Sequence, residues 1–240
     1  MAKLERQFAG RPLIVETGKM ARQADGSCTV QFGETMVLCT ATAQDHPTHL
    51  PFFPLTVEYR ERTYAAGKIP GGFIKREGRP SDKEILSARL IDRPLRPLFP
   101  DGFANETQIF VYVISADQEN DADVIALTGA SLALNMSRIP FAEPVAAVRV
   151  GRIQGQWVLN PTFQQLEYSD IDVIVAGSAD AIMMVEGGAL EVPEEEIAEG
   201  LTVAHMGIKE LIAIQNEVLG QGDLPETMAW TPKEVNPALR

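Results

Sequence analysis

Between Arg11 and Tyr64 the apolar residues come in short runs rich in Val, Thr and Cys: RPLIVETG, SCTVQFG, TMVLCTATAQ and PLTVEYRERTY. DG and GE turns separate them, so each reads as a strand. Consecutive strands need a second layer to bury their apolar faces. One such layer is written in DADVIALTGASLALNM, a helix whose Gly129, Ala130 and Ser131 allow close packing against its neighbours. A helix also opens at Ser81, where Ser81-x-x-Glu84 is a capping box. Its apolar face is expected through Ile85, Ala88 and Ile91, and Pro94 and Pro97 are expected to stop it. QIFVYVISA is a further strand. PVAAVRVG and QWVLNP form a hairpin around Gly155, and IDVIVAG and AIMMVEG are joined by a short SAD connection. Pro193 starts a long helix that runs to near Gly220, with Glu194, Glu195 and Glu196 in the first turn, where the helix dipole favours them. The expectation is a mixed α/β (α+β) fold in two halves, 1–145 and 146–222, with a Pro-rich linker at 223–240.

Charge is distributed unevenly. The chain carries a net −12, yet the 37 residues from Arg60 to Arg96 hold ten Lys/Arg against five Asp/Glu. An acidic body repels polyanions at long range, so any site for one must be local, and this window is the candidate. It contains a glycine-rich loop, Gly67 to Arg79, that brings Lys75, Arg76 and Arg79 together beside Phe73. Cations on a flexible backbone next to an aromatic face suit single-stranded nucleic acid. The bland reading is a solvated turn whose arginines pair with Glu77, Asp82 and Asp92. Arg89, Arg93 and Arg96 share one face of the following helix, with Asp92 in reach for ion pairs.

No other motif carries chemistry by spacing. His46 and His49 have no third zinc ligand at a suitable distance, and His205 is alone. Asp121 and Asp123 are explicable as caps of the second helix, and Asp170 and Asp172 alternate faces of a strand, so only one could point into a shared site. Neither a P-loop nor a dinucleotide-binding glycine pattern occurs. Cys28 and Cys39 read as reduced, buried small hydrophobes. MAKLERQFAG lacks the apolar stretch of a signal peptide and no run is long enough to span a bilayer, so a cytoplasmic protein without membrane contact is expected.

The stretch FFPLTVEYRERTYAAGKIPGGFIKREGRPSDKEILSARLIDRPLRPLFP, from Phe52 to Pro100, closely resembles the N-terminal part of the bacterial polynucleotide phosphorylase family. Looser likeness runs through VETGKMARQADGS, GASLALNMSRIPF, VRVGRIQGQWVLNPT, IDVIVAGS and MMVEGGALEV. The resemblance implies the first of two ribonuclease-PH-like domains of a processive 3′→5′ exoribonuclease. Such an enzyme uses inorganic phosphate as co-substrate and Mg²⁺ as cofactor, and releases nucleoside diphosphates from single-stranded RNA, mRNA included. It implies a homotrimeric ring around an RNA channel, and other RNA-decay proteins as partners. Phe73-Ile74-Lys75-Arg76 stands where the family has F-F-R-R at the channel mouth, which keeps charge but loses one stacking platform. Expected RNA contacts are therefore Phe73, Lys75, Arg76, Arg79, Arg93 and Arg96. The family's catalytic pattern lies in its other domain. Set on Asp172–Gly177, it keeps one Asp and puts Ile174 where the lysine belongs and Leu166 where the other Asp belongs. No catalytic residue and no metal site are expected here. The alternative is a purely structural ring-assembly domain that never meets RNA.

Overall fold

Six strands make the larger of two sheets: β1 (Lys3–Phe8), β2 (Arg11–Thr17), β3 (Gly26–Phe32), β4 (Thr35–Pro47), β5 (Leu55–Glu61) and β6 (Asn105–Ser115). Their order is β1-β2-β3-β4-β6-β5, with every pair antiparallel except β5 and β6. Parallel neighbours need a crossover, and this one carries the basic loop and helix α1 (Asp82–Leu95). The helix α2 (Asp123–Asn135) follows β6. The second sheet holds β7 (Ala146–Ile153), β8 (Gln156–Leu159), β9 (Ser169–Gly177) and β10 (Ile182–Ala189), ordered β10-β9-β7-β8 and antiparallel throughout. A single turn, α3 (Phe163–Leu166), precedes β9, and α4 (Glu194–Leu219) packs over β7 and β9. The computed structural model describes residues 2–73 and 77–232.

The mixed α/β fold expected from the sequence is the one observed, and α2 is its centre. It contacts β3, β4 and β6 of one sheet and β7 of the other. Every residue from Asp123 to Leu134 is buried, as a helix apolar all round requires. The approach is close enough that a Cβ at Gly129 would lie 2.6 Å from Cys39 Sγ. Cys28 and Cys39 face each other across β3 and β4, both free and buried, and the Cys28 thiol donates to the Gly129 carbonyl at 3.2 Å.

Three details differ from the sequence expectation. β1 pairs with β2 through a turn at Ala9–Gly10, although only Leu4 and Phe8 in it are apolar and buried. α1 buries Ser87, Leu90, Ile91, Pro94 and Leu95, while Ile85 is 46% exposed, because the helix turns Leu90 and Leu95 toward the core. Pro94 sits inside the last turn of α1, and a 3₁₀ turn over Arg96–Leu98 then ends the helical path. Residues 223–232 have no regular secondary structure and are fastened to the first half. The Met228 N–H donates to the Arg138 carbonyl at 2.8 Å, and Trp230 meets Phe103 edge-on at 5.7 Å. No helix among the described residues is long and apolar enough to cross a membrane.

Candidate nucleic-acid interface

The crossover between β5 and β6 builds the basic surface. A 3₁₀ turn over Thr63–Ala66 leads out of β5 and closes on Gly67 in the left-handed region. The return limb is tied back at Glu77. Its carboxylate accepts from the Thr63 N–H at 2.6 Å, from the Thr63 hydroxyl and from Arg62 at 3.1 Å. The Thr63 N–H, followed by Arg62, holds that carboxyl below the usual range. Ser81 then caps α1: its hydroxyl accepts from the Glu84 N–H at 3.3 Å, and Glu84 accepts from the Ser81 N–H at 2.6 Å. The other oxygen of Glu84 takes the Glu61 N–H of β5 at 2.9 Å, so one carboxylate fixes both the helix start and the sheet edge.

The expected contact residues fall into three groups. Phe73 is fully exposed, and Arg79 is exposed with no ion pair to any described residue. Lys75 and Arg76 lie outside the described residues. Arg93 is half-exposed and pairs with Glu186 of β10 at 3.0 Å, a surface pair of the kind worth about 0–1 kcal/mol. Arg96 is committed to the scaffold. It takes both oxygens of Asp92, at 2.7 and 3.0 Å, and the carbonyls of Phe53 and Leu55 at 3.1 Å. Those carbonyls lie beyond the helix, so nothing local in the sequence exposes this role. Arg89, by contrast, is visible in the sequence on the arginine face of α1. It is exposed, unpaired with any described residue, and lines an open cleft of about 290 Å³ with Arg60, Pro80 and Arg96. Leu55, Val57 and Ala88 also line that cleft.

A second cluster occupies the region around the start of α2. Arg149 of β7 points at Asp123 (3.2 Å), Asp121 (3.6 Å) and Asp172 (3.6 Å), and Lys83 of α1 bridges Asp121 (3.2 Å) and Glu61 (2.9 Å). Asp121 and Asp123 are therefore ion-paired residues and not caps: the residue at the N-cap is Ala122, which contributes no side-chain bond. Burial, then the charge of Asp121, pushes the Asp123 carboxyl up to about 6, against the pull of Arg149. Asp170 is held by Arg152 instead, at 2.6 Å, and Ile174 is buried. A divalent ion or a phosphate does not fit this set. A guanidinium already stands among the carboxylates, and both cations are already paired. Among the described residues no group of three or more His, Cys, Asp or Glu is placed to hold a metal ion. His205 meets the Ser178 carbonyl at 3.1 Å.

The sequence model of the 3′ exoribonuclease family, domain 1, matches residues 9–140, and that of domain 2 of the same family matches residues 143–207. Similar curated proteins carry the name polyribonucleotide nucleotidyltransferase. That of Gemmatimonas aurantiaca is 65% identical over 98% of this chain and 32% of its own length. That of Halalkalibacterium halodurans is 56% identical over 97% and 33%, and that of Bacillus subtilis 58% over 88% and 30%. The chain thus spans about a third of the length of the relatives it matches. A two-sheet α/β fold wrapped on one central helix, with both family models laid end to end along it, makes this chain a member of the 3′ exoribonuclease family.

Proposed function

We propose that the chain is the RNA-guiding, non-catalytic ribonuclease-PH-like part of a polyribonucleotide nucleotidyltransferase. The parent enzyme degrades single-stranded RNA from its 3′ end with phosphate in the cytoplasm, and its Mg²⁺ and phosphate chemistry belongs to another part of the protein. Here the two halves, 1–145 and 146–222, form the scaffold, residues 223–232 link back onto the first half through Met228 and Trp230, and three copies build the ring. The observation that carries this is that Arg79 and Arg89 are exposed and unpaired with any described residue, and that Phe73 of the same crossover is fully exposed, in a chain of net charge −12. Unpaired guanidinium groups on an acidic protein retain their capacity for phosphate, and an exposed ring offers a face to a base. Arg93 joins them because its half-exposed pair with Glu186 exchanges readily for phosphate. Lys75 and Arg76 extend the same loop. Arg96 belongs to the assignment only as a support, since its donors are taken.

The cluster at α2 supports the absence of catalysis here. The one aspartate kept from the family pattern, Asp172, faces Arg149, and the position of the lysine is a buried Ile174. Two measurements test the reading. Replacing Lys75, Arg76 and Arg79 together by Ala should reduce the slope of log K against log salt for single-stranded RNA by about 2. An unchanged slope would leave the structural, RNA-free role standing. The purified chain with Mg²⁺ and phosphate should release no nucleoside diphosphate from RNA. Release abolished by Asp172→Ala would overturn the non-catalytic assignment.

A further inference from the structure

The basic loop is held unequally at its two ends. On the outgoing side Gly67 and Gly72 have φ of 67° and 70°, and a Cβ added at Gly67, Gly71 or Gly72 would touch nothing within 4 Å. Nothing but backbone freedom is used there. On the return side Glu77 adopts φ of 54°, a left-handed conformation that costs a non-glycine residue about 1–2 kcal/mol. A glycine would adopt it without strain, and glycines stand at Gly71, Gly72 and Gly78. A side chain at this position is therefore retained for what its carboxylate does. It gathers the Thr63 N–H, the Thr63 hydroxyl and the Arg62 guanidinium onto one group, fourteen residues from its partner in sequence. Thr63 is in turn part of the scaffold, because the Ala65 carbonyl of the turn it begins accepts at 3.0 Å from the N–H of Ala116, the residue that follows β6. Arg60 adds a contact to the Gly78 carbonyl at 3.5 Å, just past the anchor.

We propose that Glu77 is the positioning residue of the basic loop, a carboxylate clamp on Thr63 and Arg62 that sets where the return limb and Arg79 stand. This rests on the reading of the loop as an RNA contact and adds to it the element that pre-orders the contact. Glu77 is an anion inside a polyanion site, so its direct effect on RNA is repulsive, and its benefit comes through order alone. Without the clamp, RNA binding has to order the loop at the moment of contact, which lowers affinity without changing the number of phosphates neutralised.

The split between affinity and salt slope is the test. In the 240-residue chain, Glu77→Ala should weaken single-stranded RNA binding about tenfold at fixed salt while leaving the salt slope unchanged. Arg79→Ala, a contact residue, should instead reduce the slope by about 0.7. Thr63→Val should reproduce part of the Glu77→Ala loss and add nothing when combined with it. Glu77→Gly removes the backbone strain and the clamp together, so it should bind as weakly as Glu77→Ala; recovery of wild-type affinity would overturn the proposal. A nitroxide on Phe73→Cys reports loop order without RNA, since Cys28 and Cys39 are buried and escape labelling. Its motion should quicken in the Glu77→Ala background, and an unchanged spectrum would also overturn the clamp. Failure of the wild-type chain to bind RNA at low salt would sink the functional reading instead, while the nitroxide comparison still decides the clamp.

Discussion

Asp123 is 4% exposed, and its charge is opposed by burial and by Asp121 more than it is favoured by Arg149 and Lys83. Its folded pKa of about 6 lies above the ordinary carboxylate value, so the folded state holds the proton more tightly than the unfolded chain. Stability from this group is present at low pH and is lost as pH rises from about 4 through 6, at no more than about 1.4 kcal/mol per pH unit. Asp117 acts the other way and elsewhere on the scale. Hydrogen bonds from the Asn120 and Glu119 N–H groups outweigh its burial and hold it at about 2, so its contribution disappears only below about pH 4. Urea unfolding between pH 4.5 and 7.5 should therefore show wild-type stability falling relative to Asp123→Asn as pH rises. Parallel profiles for the two proteins would exclude a raised pKa at this site. None of this was legible in the sequence, where Asp121 and Asp123 read as caps. Their partners come from β7 and α1, and a pattern of neighbours along the chain carries no sign of them. Glu77 was hidden in the same way, while the Ser81–Glu84 box was legible because both its bonds are local.

At the scale of elements, α2 fits against β3 and β4 by volume. Gly129→Ala places a methyl group 2.6 Å from Cys39 Sγ and 3.1 Å from Val30 Cγ2. Overpacking of this kind costs about 1–3 kcal/mol. Cys39→Ala in the same chain should return part of that loss, because it removes the sulfur that the new methyl meets. Thermal unfolding of the two single variants and the double variant measures the coupling, and additive losses would mean the strain is relieved elsewhere. These elements were legible wherever apolar runs were long. The hairpin at Gly155, the β9–β10 pair and α4 all stand where the pattern put them. β1 escaped because KLERQF buries only Leu4 and Phe8 and leaves four polar residues exposed, so neither strand nor helix periodicity shows. The buried face of α1 stands as expected at Ala88 and Ile91 and differs at Ile85, for a related reason. Ile85 and Leu90 are both apolar, and only the position of the core decides that Leu90 enters it while Ile85 rims a cleft.

The whole molecule is two sheets that share one helix. Because α2 is buried on every side, neither sheet keeps its core if the other leaves. The pairs from Arg149 to Asp121 and Asp123, and the strap that ends at Trp230, add further ties across the chain. Calorimetry of the 240-residue chain should accordingly give one transition whose calorimetric and van't Hoff enthalpies agree. Two resolved transitions would show that the sheets fold as separate units. The clamp between Thr63 and Glu77 has another consequence for a molecule built this way. Both ends of the loop are pinned at one point on the scaffold, and doubling the length of a flexible loop adds only about 0.6 kcal/mol to the entropy of closing it. Inheritance can therefore lengthen, shorten or respell everything between the two anchors while the sheets, the shared helix and the cap at Ser81 stay as they are. A segment held in this way is an exchangeable cassette, whose length and spelling can change without disturbing the fold that carries it.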